Sequence, residues 1–120
     1  MKQEHFLKMA KEASKRSDHT KHKLGCVIVK RNRVLGVGFN MLKTHPRSYH
    51  SFKNMHAEVM AVIKADFKVA GSTVYVFRQQ KCGTWAMAKP CDSCRKFLIE
   101  NGVVKVVYSF EGSYKQERLD

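Results

Sequence analysis

His56, Cys91 and Cys94 together offer one imidazole and two thiols, and Glu58 adds a carboxylate two residues from the histidine. Three such donors suit zinc but do not close its tetrahedron. A structural site normally uses four protein ligands, whereas three leave a corner open for water. Cys91 and Cys94 are spaced so that on a helix they lie one turn apart on one face and can grip one ion. At a helix start, unpaired backbone amides favour the thiolates that zinc needs, and Pro90 suits that entry because it has no amide to satisfy. When bound at an open site, zinc lowers the pKa of water there towards about 7. Glu58 is then best used unliganded, taking a proton from water, passing it to a ring nitrogen and delivering one to departing ammonia. This set fits hydrolytic attack on the amidine-like carbon of an aminated heterocycle. Peptide hydrolysis fits less well, because the His-Glu-x-x-His helix pattern is missing. Alone, a Cys-x-x-Cys serves equally as a redox pair or half of a zinc knuckle; the order of the two motifs and their placement at helix starts carry the reading.

The surrounding pattern supplies elements to hold these residues. From Gln3 to about Ser17, Phe6, Leu7, Met9, Ala10 and Ala13 recur at helical spacing, predicting an amphipathic helix. Leu24–Val29 and Val34–Phe39 are β-rich runs around Lys30-Arg31-Asn32-Arg33, predicting an antiparallel pair. Residues 40–54 lack a period and contain Pro46, so a long loop precedes the histidine motif. A helix is predicted over His56–Phe67, then a strand over Thr73–Phe77, then a polar loop over Arg78–Lys89. Pro90 opens a second site helix whose inner face carries Cys94, Phe97 and Leu98. Gly102 ends it, and Val103–Tyr108 reads as a strand buried on both faces. Glu111–Asp120 is polar and reads as a short terminal helix or a loose tail. This order implies an α/β domain of three layers.

With 120 residues and 43% hydrophobic content, the chain fits one domain over residues 1–120. No apolar run reaches membrane-span length and the start lacks a secretory pattern, so a soluble, cytoplasmic protein without membrane contact is expected. Four cysteines, two at metal spacing, fit a reducing compartment better than a disulfide scaffold. Cys26 reads as a small buried hydrophobe and Cys82 as an exposed loop thiol. The net charge of +13 favours phosphate-bearing partners, although Lys8, Lys11 and Lys15 have the spacing of an ordinary solvated helix face.

His-x-Glu followed by Pro-Cys-x-x-Cys resembles the signature of the zinc-dependent cytidine and deoxycytidylate deaminase superfamily, over roughly Leu24 to Tyr108. The resemblance implies a three-layer α-β-α cytidine deaminase-like fold, with a central mixed sheet of four to five strands flanked by helices. It implies Zn2+ held by His56, Cys91 and Cys94, Glu58 as proton shuttle and the Ala57 amide as a contact to the base. Asn40 matches a substrate-contacting asparagine, with a turn residue as its alternative reading. Lys43, His45, Arg47 and Lys53 are candidates for a phosphate pocket or for solvated loop charges. The hairpin, Asn40 and the basic loop look most like single-domain deoxycytidylate-type enzymes, implying dCMP conversion to dUMP and ammonia on a small-molecule nucleotide. Arg95-Lys96-Phe97 after Cys94 argues against adenosine in tRNA. The early end after the fourth strand implies a reduced or missing fifth strand or final helix. Self-association, common among relatives, makes a homo-oligomer the expectation. One alternative is a polynucleotide deaminase on single-stranded DNA or RNA, with Trp85, His50, Tyr49 or Phe52 against flanking bases. Another is a non-enzymatic basic module using zinc for stability, against which Glu58 argues.

Overall fold

The computed structural model describes residues 2–18, 23–41, 56–79 and 85–119. Helix α1 (Lys2–Ser14) places Phe6, Leu7, Ala10 and Ala13 on one buried face, as its period requires. Strands β1 (Lys23–Lys30) and β2 (Arg33–Phe39) pair antiparallel, with Lys30 opposite Arg33. The turn residues Arg31 and Asn32 have φ of 52° and 63°, the left-handed pair that a tight hairpin demands. Register slips between Ile28 and Val29, a bulge that lets β2 bend.

Helix α2 (Ala57–Lys64) follows, then β3 (Thr73–Gln79), the two-residue β4 (Trp85–Ala86), α3 (Asp92–Glu100), β5 (Lys105–Phe110) and β6 (Ser113–Arg118). The strand order is β2-β1-β3-β5-β6, with β4 paired to β3 off this path. Among the described residues, β3 and β5, between which β4 and α3 lie in sequence, pair parallel and the other pairs are antiparallel, so the sheet is mixed. Side chains alternate across it. Val27, Val29, Tyr75, Phe77 and Val107 meet α1, while Cys26, Ile28, Val74, Val76 and Val106 join the core under α2 and α3. The three-layer α-β-α fold expected from the sequence is the one observed.

Several expectations are corrected. Residues 111–120 hold neither a terminal helix nor a loose tail over most of their length: β6 pairs with β5 along its whole course across a Glu111-Gly112 turn, so the fifth strand is present. Its side chains are mostly exposed and mostly polar or charged, which removes the apolar alternation that marks a strand and leaves the backbone ladder to hold it, a common design for an edge. The Arg78–Lys89 loop also carries β4. Helix bounds shift inward as well: α2 stops at Lys64 because Asp66 and Phe67 take positive φ, and α3 begins at Asp92 with Cys91 as its N-cap.

Glycines set how closely α2 lies on β2. A Cβ at Gly36 would strike the Ala61 carbonyl oxygen, and one at Gly38 would strike the Ala57 carbonyl oxygen and sit 2.5 Å from the Ala61 nitrogen. Helix and strand backbones are therefore in direct contact there. The first turn of α2, which carries the histidine motif, is docked by that contact.

Candidate active site

Two helix starts converge on the site. His56 is the N-cap of α2 and Cys91 that of α3, both with extended backbone, and neither side chain caps its own helix. Both side chains serve elsewhere. The donor atoms of His56, Cys91 and Cys94 all lie within 4.8 Å of one another, and His56 Nδ1 is 3.1 Å from Cys94 Sγ. Tetrahedral zinc with N and S ligands needs donor separations of roughly 3.5–3.8 Å, so small side-chain adjustments place all three on one ion. Among the described residues this is the group of donors able to hold a metal. Cys94 is buried, His56 half-buried and Cys91 exposed, so the cluster runs from the core to the surface.

Glu58, in the first turn of α2, is 5% exposed. Burial pushes its carboxyl up to about 6, opposed by a backbone hydrogen bond and one with Cys94. Burial likewise drives the Cys94 thiol far above its ordinary range, with Glu58 and Cys91 adding to the effect, and lowers His56 towards the neutral imidazole that binds metal. The Glu58 carboxyl and the Cys94 thiol, packed so closely, resist ionisation together. A divalent cation among them reverses that preference, favouring both thiolates and the Glu58 carboxylate. The donor set fits zinc by chemistry as well as by distance.

Residues 1–110 match the sequence model of the cytidine and deoxycytidylate deaminase zinc-binding region. The chain belongs to this zinc-dependent deaminase family. It is 32% identical to the deoxycytidylate deaminase of Mycobacterium phage D29, over 90% of this chain and 94% of the phage protein. It is 29% identical to the deoxycytidylate deaminase of Saccharomyces cerevisiae (strain ATCC 204508 / S288c), over 88% of this chain, but spans only 36% of the yeast protein. The apo crystal structure of dCMP deaminase from the cyanophage S-TIM5 superposes with a TM-score of 0.64 at 25% identity, covering 88% of this chain and 80% of the other. The zinc expected from the sequence is thus the metal of the family.

Elsewhere in this deaminase, Asn40 is 8% exposed and continues the β1–β2 ladder past Phe39. The Leu24 amide donates to its Oδ1 at 2.9 Å, and its own amide donates to the Leu24 carbonyl at 3.2 Å. The side chain therefore has a structural bond across the sheet, which neither the substrate-contact nor the turn reading of its residue type anticipates. Ala57 is buried in the first turn of α2, with its carbonyl against Gly38. Lys43 and Arg47, with His45, Lys53, His50, Tyr49, Phe52 and Cys82, lie outside the described residues, as does the side chain of Trp85. Cys26 is fully buried in β1, as expected, and burial foremost, then the Glu58 charge, raises its thiol.

One cluster has no counterpart among the residues singled out from sequence. Glu117 Oε2 accepts from the Tyr108 hydroxyl at 2.7 Å and pairs with Lys89 Nζ at 3.3 Å, while Oε1 pairs with Arg95 Nη1 at 3.4 Å. The Tyr108 hydrogen bond foremost, against some desolvation, and then Lys89 and Arg95 hold this carboxyl below its ordinary value. No spacing rule links four residues from a loop, a helix and two strands. Only the pairing of β6 with β5 brings them together.

Proposed function

We propose that the chain is a zinc-dependent hydrolase that deaminates a cytosine mononucleotide, dCMP to dUMP plus ammonia. One observation carries this: a buried carboxylate, Glu58, stands beside a three-donor cluster of His56, Cys91 and Cys94 that leaves one tetrahedral position open. The name of the phage D29 relative, which this chain matches over nearly its full length, supports dCMP as the substrate. Bound zinc supplies Lewis acidity, lowering the pKa of water at its open position. The chain's own residues do the rest. Glu58 takes one proton from the attacking water and places it on ring nitrogen N3 as the C4–O bond forms. It then moves the second water proton to the exocyclic amine, the C4–N bond breaks, and uracil and ammonia result. The Ala57 amide, at the start of α2, contacts the base, and Asn40 contacts the substrate at the end of β2. Lys43 and Arg47 take the phosphate, where charge-assisted hydrogen bonds are strongest.

The +13 charge then draws a monophosphate to the site. A polynucleotide deaminase gains no support from the deoxycytidylate deaminase relatives, and membership of a deaminase family with Glu58 in place opposes a purely structural zinc module. Among the described residues no helix is long and apolar enough to cross a membrane. The need of Cys91 and Cys94 to stay reduced supports a cytoplasmic location, and self-association is proposed on the family resemblance alone. The test is ammonia release by zinc-loaded protein on cytidine, deoxycytidine, their mono- and triphosphates, and cytosine-containing single strands. Turnover concentrated on dCMP is expected. Turnover confined to strands, with binding that falls steeply as salt rises, would replace the mononucleotide reading by the polynucleotide one.

A further inference from the structure

Glu117 lies beyond residues 1–110, the span matched by the family model, yet it is bonded to both flanks of the cysteine motif. Lys89 immediately precedes Pro90-Cys91, and Arg95 immediately follows Cys94. Their cations meet on one carboxylate, and the Tyr108 hydroxyl from β5 fixes that carboxylate against the sheet at 2.7 Å. β6 is itself anchored, with Glu117 opposite Val106 in the β5 ladder. The two thiols differ in what else holds them. Cys94 is buried among Phe97 and Leu98 in the core, whereas Cys91 is exposed at the helix start. Cys91 therefore depends on how its chain segment is held at the ends, and Lys89 and Arg95 are those ends.

We infer that Glu117 is a positioning residue for the metal site, clamping the Lys89–Arg95 segment so that Cys91 and Cys94 are preset for zinc. This rests on the assignment of His56, Cys91 and Cys94 as ligands. Partly exposed ion pairs contribute little to global stability, and here the side chains of Lys89, Arg95 and Glu117 are 47%, 34% and 32% exposed. The effect should therefore appear in metal affinity, where loss of residues supporting the ligands costs about 10–100-fold.

The experiment is competition for zinc between the 120-residue chain and a chromophoric chelator, with melting of the metal-free protein measured alongside. Glu117→Gln keeps the side chain's size and removes its charge, so it reads the clamp even where Glu117→Ala fails to fold. Zinc affinity is expected to fall about tenfold in Glu117→Gln. It should fall by a similar factor in the double variant Lys89→Met with Arg95→Met, and no further when all three changes are combined. The melting temperature of the metal-free protein should stay close to that of the parent. Unchanged zinc affinity in Glu117→Gln, or losses that multiply in the triple variant, overturns the clamp alone. A parent chain that binds no zinc overturns the metal site itself, and the role of Glu117 with it.

Discussion

Glu58→Gln is expected to lower ammonia release by roughly 10²–10⁴-fold, the range for losing a general acid–base group, with zinc content and fold retained. The amide occupies the same buried volume and can still hydrogen-bond, but it cannot take a proton from water and deliver it to the base. Stability should not suffer. Burial raises the Glu58 carboxyl to about 6, so at neutral pH the metal-free fold carries a desolvated carboxylate that a neutral amide spares it. The combination distinguishes a catalytic carboxylate from a structural one: turnover collapses while zinc stoichiometry and the melting curve hold. Turnover within a few-fold of the parent would remove Glu58 from the chemistry.

Gly38→Ala is expected to damage stability and activity together, although residue 38 offers no reactive group. A methyl at this position would meet the Ala57 carbonyl oxygen and lie 2.5 Å from the Ala61 nitrogen, atoms of the α2 backbone that no rotamer change can move aside. Overpacking of this kind costs about 1–3 kcal/mol. Relief requires α2 to lift from β2 at its first turn, carrying His56 and Glu58 away from Cys91 and Cys94 on α3. Misplacing reacting groups by about 1 Å costs on the order of 10²-fold in rate. Thermal melting should therefore show a lower midpoint, and kcat/KM per folded, zinc-loaded molecule should drop about a hundredfold. A variant that melts like the parent and turns over at the parent's rate would show that the close approach does not position the site.

The metal cluster is legible in the sequence because its chemistry is written in short spacings. His56 and Glu58 share one helix start, Cys91 and Cys94 another, and the apolar periods of α2, β3 and α3 place those starts at one end of the sheet. The layers follow from the same periodicity. What escapes the sequence depends on pairing between distant segments. β6 buries little apolar surface, so only its ladder with β5 reveals it as a strand. Without β6, nothing connects Glu117 with Lys89 and Arg95. Asn40 shows a milder form of the same problem: its residue type points to a polar role, but the bond to Leu24 depends on the β1–β2 register. The glycines of β2 are legible as part of a strand, yet their close contact with α2 appears only when helix and strand are packed.

The most direct test of zinc-dependent deamination at this site is dCMP turnover by the purified chain before metal removal, after chelation, and after reloading with one equivalent of zinc. Ammonia and dUMP should form in equal amounts, cease when zinc is removed, and return in proportion to the zinc restored. Turnover that persists in the metal-free protein, or a folded and fully zinc-loaded chain that leaves dCMP untouched, would contradict the assignment.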